Sequence, residues 1–170
     1  MIRQANERDL NDILEIYNHA ILNTTAIYTY KPQTLEERRL WFDNKVKDGY
    51  PVYVYEENER VIGFSTYGSF RAFPAYKYTI EHSVYVKDEC GNRGIGTSLL
   101  NEVLKDATRR EYATIVAGID SANEKSIKMH EKLGFQHSGT IKRAGYKFGK
   151  WLDLTFLQLN LEGPKTPSED

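Results

Sequence analysis

The sequence predicts an α/β protein: a single-domain mixed, mostly antiparallel sheet flanked by helices. Apolar runs with strand period alternate with segments of helical period, and the whole order is βααβββαβαββ. A length of 170 residues suits one ordinary domain with a continuous core. We expect residues 1–162 to form that domain. Residues 163–170, rich in Pro, Ser and acidic side chains, are expected to form a flexible C-terminal tail.

The first half of the chain predicts a strand, two helices and a hairpin. In order, these are a strand over 2–5, a helix that Asn6 caps, a helix that begins at the capping box Thr34–Glu37 and runs to about Asp48, and strands over 51–56 and 60–69 joined by a turn at Asn58-Glu59.

The second half predicts four strands and two helices. In order, these are a strand over 78–87, a glycine-rich loop, a helix with apolar residues from Leu99 to Ala107, a buried strand over 114–119, a helix that Asn123 caps and Gly134 ends, and strands over 135–150 and 152–161 with a turn at Gly149-Lys150. Alternation in the strand over 78–87 separates His82 from Glu81 and Tyr85, which share the other face.

Composition excludes several classes of protein. The formal net charge is −1, and the densest charged runs read as solvated helix faces, so we expect no nucleic-acid partner. No apolar run approaches the length of a membrane span, and the first ten residues lack a signal-peptide pattern. Cys90 is the only cysteine, which excludes an internal disulfide and a multi-cysteine metal site. A cytoplasmic protein is the expected default.

The stretch "GNRGIGTSLL" places Gly91, Gly94 and Gly96 between a strand and a helix. A helix N-terminus offers unpaired amides and the positive end of the dipole, so this loop is a candidate pyrophosphate cradle, with Arg93 adding charge at its rim. A P-loop would need lysine after Gly96, and a dinucleotide fingerprint would need glycine in place of Leu99. The pyrophosphate loop of acyl-CoA acyltransferases and a merely flexible turn both stay open on the loop alone.

A second motif follows the buried strand, in "NEKSIKMHEKLGF". Asn123, Ser126 and His130 fall on one helix face by their spacing. A histidine suits proton transfer near neutral pH, although an isolated histidine on such a helix is more often structural. The other histidines, His19, His82 and His137, are expected to be structural.

With "SVYV" before the glycine loop and N-x-x-S…H-x-x-x-G-F after the buried strand, the chain resembles the GNAT superfamily of acyl-CoA N-acyltransferases from Ile2 to Leu161. The resemblance is closest to the phosphinothricin N-acetyltransferase type, through "TAIYTYKPQT", "AYKYTIEHSVYV", "SIKMHEKLGF" and "GTIKRAGYKFGKWLDLTFLQ". One position departs from the family: Gly91 stands where Gln or Arg is usual, which weakens one contact to the phosphates.

The resemblance implies a GNAT-like fold, acetyl-CoA as cosubstrate and no metal. It implies that Glu81 is the general base, directly or through water, and that His130 is the general acid. A surface carboxylate is the competing interpretation of Glu81. The residues implied in cofactor binding are Val84, Tyr85, Val86, Gly91, Asn92, Arg93, Gly94, Ile95, Gly96, Thr97 and Asn123, with the backbone of 84–86 holding the pantetheine arm.

The resemblance also implies a small amino-acid-like acceptor, acetylated on its α-amino group. Tyr28, Arg71, Tyr76 and Tyr85 are the candidate substrate-binding residues. Phe73 stands where herbicide-inactivating members carry a second basic residue, so we expect methionine sulfoximine or methionine sulfone to be preferred over phosphinothricin. Another amine acceptor (an aminoglycoside, a polyamine or a protein N-terminus) and a non-catalytic acyl-CoA-binding sensor stay open. A homodimer is implied by the family alone.

Overall fold

Seven strands and four helices follow one another in the predicted order. The strands are β1 (Ile2–Gln4), β2 (Val52–Glu57), β3 (Arg60–Ser69), β4 (Thr79–Val86), β5 (Thr114–Asp120), β6 (Gln136–Lys147) and β7 (Lys150–Asn160). The helices are α1 (Leu10–Asn23), α2 (Leu35–Lys47), α3 (Ile95–Arg109) and α4 (Glu124–Lys132). This computed structural model describes all 170 residues.

The strands form one sheet in the order β1-β2-β3-β4-β5-β7-β6. β4 and β5 pair in parallel, whereas β1–β2, β2–β3, β5–β7 and β6–β7 are antiparallel. The predicted fold class, a mixed and mostly antiparallel sheet with helices, is therefore confirmed. None of the helices has the length and hydrophobicity needed to cross a membrane.

Local sequence signals account for the helix starts. The Thr34 hydroxyl accepts from the Glu37 amide at 3.1 Å, and the Glu37 carboxylate accepts from the Thr34 amide at 2.8 Å, so the predicted capping box is confirmed. Asn6 caps a short 3₁₀ turn, Glu7–Asp9, that leads into α1 rather than capping α1 itself. The prediction for Asn6 was therefore right about the cap and one turn early for the α-helix.

The two hairpin turns depend on residues with positive φ. Asn58 and Glu59 have φ of 50° and 62°, which confirms the predicted turn between β2 and β3. Between β6 and β7 the turn residues are Phe148 and Gly149, with φ of 53° and 74°. The predicted turn at Gly149-Lys150 was one residue late, because a two-residue turn of this kind needs two consecutive positive φ values and Lys150 already begins β7.

The chain consists of two compact units. The first comprises Met1–Gly68 and Ser83–Leu104. Its core contains eight buried side chains from α1, α2, β2 and β3: Leu10, Ile13, Ile16, Phe42, Val52, Val54, Val61 and Phe64. Tyr85, near the end of β4, packs against this core. The glycine loop follows β4 along the chain. The first unit therefore holds the predicted cradle and the strand that leads to it.

The second unit comprises Ser69–His82 and Lys105–Asp170. Within it, β5 pairs with β7 along its whole length, from Thr114 to Asp120, and Ile115, Val116 and Ala117 are buried as the apolar run predicted. Gly118 is the exception, being exposed in the middle of this strand. The second unit contains both predicted acid–base residues, Glu81 and His130.

Candidate active site

The loop before α3 has the backbone form of an anion cradle. Gly94 has a φ of 76°, and Ser98 makes the first α-helical hydrogen bond, from its amide to the Gly94 carbonyl at 3.0 Å. The amides of Ile95, Gly96 and Thr97 come before that bond and have no partner within the helix. A Cβ on Gly94 would meet no atom within 4 Å, so the space beside Gly94 is open. The loop therefore fits a pyrophosphate group.

Two predicted cradle residues have a different setting from the one expected. Gly91 has φ −62° and ψ 160°, a conformation open to any residue, so its backbone does not require glycine. The Arg93 guanidinium forms a two-pronged ion pair with Glu57, at 3.0 and 2.6 Å. Glu57 offsets part of the charge that Arg93 was expected to bring to the rim.

The helix of the cradle is fixed on β3 by close packing that was not predicted from the sequence. A Cβ on Gly63 would lie 3.0 Å from Cδ1 of Leu99 and 3.1 Å from the Tyr85 carbonyl oxygen. The buried Ser65 hydroxyl donates to the Leu99 carbonyl at 3.1 Å. A glycine and a serine inside a strand of apolar residues were the available sequence signal for this close approach.

β4 extends beyond its pairing with β5. The parallel register covers Thr79, Ile80 and Glu81, paired with residues 114–116, and β4 continues to Val86. The remaining residues of β4 thus include backbone groups that the β4–β5 ladder does not use.

The register of β4 against β3 determines whether the backbone N–H and C=O groups of a β4 residue point toward β3 or away from it. The Lys87 amide donates to the Ile62 carbonyl of β3 at 2.9 Å. Because successive residues of a strand bond to opposite sides, Tyr85 directs its backbone toward β3, and Val84 and Val86 direct theirs away from it. Val84 and Val86 are therefore the better candidates for backbone bonds to an extended ligand.

Glu81 is half-buried, and burial raises the pKa of its carboxyl above the usual range, with the nearby Arg71 charge opposing that rise. Its Oε1 lies 3.4 Å from the position that a Cβ on Gly118 would take, beside Phe156 and Leu154. A raised pKa in a partly dry setting suits a general base. The exposed Gly118 keeps the space beside the carboxylate free of a side chain.

Arg71 and Tyr76 lie together next to Phe70. The Arg71 guanidinium lies 4.3 Å from the centre of the Phe70 ring and donates to the Phe70 carbonyl at 3.0 Å. The Tyr76 ring packs edge-on against Phe70, with the centroids 5.8 Å apart. Phe73 is 73% exposed. Arg71 is thus a surface cation held in place by the Phe70 ring. Its charge lowers the pKa of Glu81.

The other two candidate acceptor residues belong to the first unit. Tyr28 is half-buried in the loop between α1 and α2. That loop is tied to α1 by Asn18, which accepts from the Gln33 amide at 2.8 Å and donates to the Gln33 carbonyl at 2.9 Å. The Tyr85 ring packs edge-on against Tyr17 at 5.9 Å. The structure therefore brings Arg71, Tyr76 and Glu81 into one unit and keeps Tyr28 and Tyr85 in the other.

A cleft of about 480 Å³ lies in the second unit. Its lining residues are Phe70, Tyr76, Thr79, Thr114, Val116, Ser138, Gly139, Thr140, Ile141, Phe156 and Gln158. None of them is charged, and their polar groups are hydroxyls and one amide. Phe156 and Oε1 of Glu81 lie 3.5 and 3.4 Å from the position that a Cβ on Gly118 would take, and Glu81 pairs with Val116 of the cleft, so the carboxylate lies at the margin of this cleft. The cleft has the size and mixed lining of a small-molecule site.

His130 is buried and engaged at both ring nitrogens. Its Nδ1 lies 2.7 Å from the Ser126 carbonyl, and its Nε2 lies 3.1 Å from Nε2 of His82. His82 is also buried, and Phe135 packs edge-on against both rings. Burial lowers the pKa of His130 and lowers the pKa of His82 to about 3. From the sequence, His82 was expected to be structural, and its pairing with His130 was not predicted.

Asn123 caps α4 as predicted, since its Oδ1 accepts from the Ser126 amide at 3.2 Å. This cap fixes the first turn of the helix, from which the Ser126 carbonyl meets His130. The implied contact of Asn123 with the CoA arm stays a prediction.

The sequence is similar to known acetyltransferases over most of its length. The acetyltransferase (GNAT) domain family matches residues 2–156. The chain belongs to the GNAT acetyltransferase family. It is 44% identical over 162 residues to an L-methionine sulfoximine/L-methionine sulfone acetyltransferase of Pseudomonas aeruginosa, covering 95% of this chain and 94% of the relative. It is 35% identical over 168 residues to a phosphinothricin N-acetyltransferase of Streptomyces viridochromogenes, covering 98% and 90%.

Among solved structures, a GNAT superfamily phosphinothricin acetyltransferase of Sinorhizobium meliloti in complex with acetyl-CoA superposes with a TM-score of 0.94. Identity to it is 37%, and the match covers 98% of this GNAT protein and 91% of the solved chain. The predicted family, the class of acetyl-CoA-dependent N-acetyltransferase and acetyl-CoA as cosubstrate are thereby confirmed. The roles of individual site residues stay predictions.

Proposed function

We propose that this enzyme transfers the acetyl group of acetyl-CoA to the α-amino group of a small, neutral amino-acid analogue of the methionine sulfoximine or methionine sulfone type. The observation that carries the proposal is the position of Glu81, a carboxyl with a raised pKa at the margin of a cleft with neutral polar lining. The curated relative named for these two substrates supports the choice.

Glu81 is proposed as the general base. An α-ammonium group is not a nucleophile until it loses a proton, and Glu81 would accept that proton directly or through a water molecule. The free amine then attacks the thioester carbonyl: a C–N bond forms, the C–S bond breaks, and the sulfur leaves as a thiolate. A thiol has a pKa of about 8.5, so protonation assists its departure. His130 is proposed as the group that supplies this proton, which requires that its ring first takes up a proton and becomes imidazolium.

Acetyl-CoA binding is proposed at the glycine loop and at the part of β4 that continues beyond its pairing with β5. The amides of Ile95, Gly96 and Thr97 would hold the pyrophosphate, and Asn92 and Gly94 supply the turn that exposes them. Val84 and Val86 would bond to the pantetheine arm through their backbone, as an added strand would. Arg93 and Asn123 are proposed at the margins of this site.

The acceptor is proposed to bind in the neutral cleft. Arg71 would pair with its α-carboxylate, and the hydroxyl of Tyr76 is a further candidate partner. The roles of Tyr28 and Tyr85 in acceptor binding stay predictions. The side-chain end of the acceptor would meet hydroxyl and amide groups, which suit a sulfone or sulfoximine and give a phosphinate anion no cation to pair with.

The alternative acceptors are less well supported. Polyamines and aminoglycosides are polycations, and a cleft without a charged lining residue offers them no carboxylate beyond Glu81. A non-catalytic acyl-CoA sensor would not need a carboxyl with a raised pKa beside a cleft. A thiol-release assay with acetyl-CoA tests the proposal directly. The acceptor panel contains methionine sulfone, proteinogenic amino acids, a polyamine and an aminoglycoside.

We further propose a homodimer and a cytoplasmic location, with residues 1–162 as the catalytic domain and 163–170 as a flexible tail. Large apolar side chains on the β6–β7 hairpin are 49–57% exposed, namely Ile141, Tyr146, Phe148 and Trp151. Exposed apolar groups in this number favour contact with a second copy of the chain. Sedimentation equilibrium is expected to give twice the chain mass of 19.7 kDa.

A further inference from the structure

The hydrogen bonds of the buried histidine pair determine where its protons lie. A carbonyl oxygen only accepts, so Nδ1 of His130, 2.7 Å from the Ser126 carbonyl, carries a hydrogen. A neutral imidazole has a single N–H, which makes Nε2 of His130 an acceptor. Nε2 of His82 lies 3.1 Å away and therefore donates to it.

Both rings are neutral in this arrangement. Burial lowers the pKa of each histidine, and no carboxylate contributes to either shift. Nδ1 of His82 is then a lone-pair acceptor; it is buried and has no hydrogen-bond partner in the structure. The only N–H that His82 possesses is thus committed to His130.

The ring of His130 is also held in one orientation. Its plane lies within 10° of the His82 plane, and the Phe135 ring packs edge-on against it with the centroids 5.1 Å apart. The Ser126 carbonyl, on the same helix, anchors the opposite nitrogen. Two hydrogen bonds and one ring contact therefore define both the orientation and the tautomer.

We infer that His82 is a positioning residue for His130: by donating from Nε2 it holds His130 in the Nδ1–H tautomer and in one orientation. The inference rests on the proposed function, in which His130 is the second acid–base group beside Glu81. It specifies the resting state of that group, a neutral ring with its hydrogen on Nδ1 and a lone pair on Nε2. His82 stabilises this tautomer.

The test combines imidazole ¹⁵N NMR of the full chain with steady-state kinetics of two variants. In the parent, His130 is expected to show a protonated Nδ1 and an accepting Nε2 from pH 6 to 8. His82→Leu removes the donor; it is expected to abolish this pattern and to lower kcat at least about tenfold, with the KM for acetyl-CoA unchanged. His82→Gln offers an amide N–H near the position of Nε2 and should retain the Nδ1–H tautomer and most of kcat.

A protonated Nε2 on His130 in the parent would overturn the inference. This NMR measurement needs neither turnover nor a variant. A folded His82→Leu protein with the parental tautomer and kcat would also overturn it. Equal loss of kcat in the Leu and Gln variants, with the tautomer unchanged, counts against positioning as well. A parent that transfers no acetyl group to any amino-acid analogue refutes the proposed function instead.

Discussion

Oε1 of Glu81 lies 3.4 Å from the position that a Cβ would take on Gly118, an exposed glycine between buried residues of β5. The carboxylate therefore borders open space on one side and apolar residues on the other. This setting keeps it accessible to a small amine and also raises its pKa by burial.

Replacing Glu81 by Gln keeps the shape of the side chain and removes the base. We expect kcat to fall at least about tenfold, since a positioned acid or base typically contributes about 10²–10⁴-fold. Calorimetric titration should give parental affinity for CoA, since the cradle is untouched. Parental kcat in Glu81→Gln would assign this carboxylate a structural role.

The pH dependence of the parent should report the same group. The pKa of Glu81 is raised, so the base form is lost on acidification at a higher pH than for an ordinary carboxyl. We expect the acid limb of kcat/KM to lie above the usual carboxyl range and to be absent from the residual activity of Glu81→Gln. An acid limb that persists in Glu81→Gln would belong to another group.

Arg71 is expected to act on the acceptor and on the pKa of Glu81. Arg71→Ala should raise the KM of the acceptor and leave the KM of acetyl-CoA unchanged, while Arg71→Lys should recover part of the affinity. Because the Arg71 charge lowers the pKa of Glu81, its removal should also move the acid limb to higher pH. An effect of Arg71→Ala confined to acetyl-CoA would show that the acceptor site is wrongly assigned.

Gly94 and Gly149 form a matched pair for testing the cradle. Both have positive φ, 76° and 74°, and a Cβ on either would meet no atom within 4 Å. Valine at either position should cost about 1–3 kcal/mol of stability through backbone strain. Only Gly94→Val should also lose most of the affinity for CoA, measured by calorimetry. Equal CoA affinity in the two variants would show that the pyrophosphate of CoA does not bind at this loop.

The buried histidine pair should make the protein less stable in acid. Unfolded His82 takes up a proton near pH 6.5, whereas the folded residue does so only near pH 3. The free energy of unfolding should therefore fall as the pH drops through this window, by about 1.4 kcal/mol per pH unit. His82→Gln should show a shallower decline in urea denaturation between pH 7 and pH 5. Parallel curves would mean that His82 titrates normally.

The sequence predicted those features that depend on local conformation. Gly94 was singled out as glycine in a strand-to-helix turn, and its positive φ explains the choice. The order of elements followed from period and caps, such as Thr34 with Glu37. The β6–β7 turn was misplaced by one residue because Phe148 has a φ of 53°. A positive φ is rare for phenylalanine, so the residue type gave no sign of it.

Features that join distant parts of the chain were not predictable in this way. His82 and His130 are 48 residues apart, and nothing in their local sequence specifies a shared hydrogen bond. The same holds for Arg93 and Glu57, which are 36 residues apart. Such contacts depend on how strands and helices pack, which a single sequence does not encode as a pattern.

Acceptor preference tests the neutral lining of the cleft. We expect a higher kcat/KM for L-methionine sulfone or sulfoximine than for L-phosphinothricin, because a buried phosphinate would lack a cationic partner there. Phe73→Arg restores a basic residue in the exposed segment after Arg71 and should narrow the difference. Preference of the parent for phosphinothricin would show that the anionic end meets a cation elsewhere.

The most direct measurement is thiol release from acetyl-CoA by the parent enzyme with L-methionine sulfone, followed by mass spectrometry of the acceptor. We expect one CoA thiol released for each N-acetylated acceptor, at a rate far above that without acceptor. We expect little release with a polyamine. Release that does not depend on methionine sulfone, or that is faster with the polyamine, would refute acetyl transfer to a neutral amino-acid analogue.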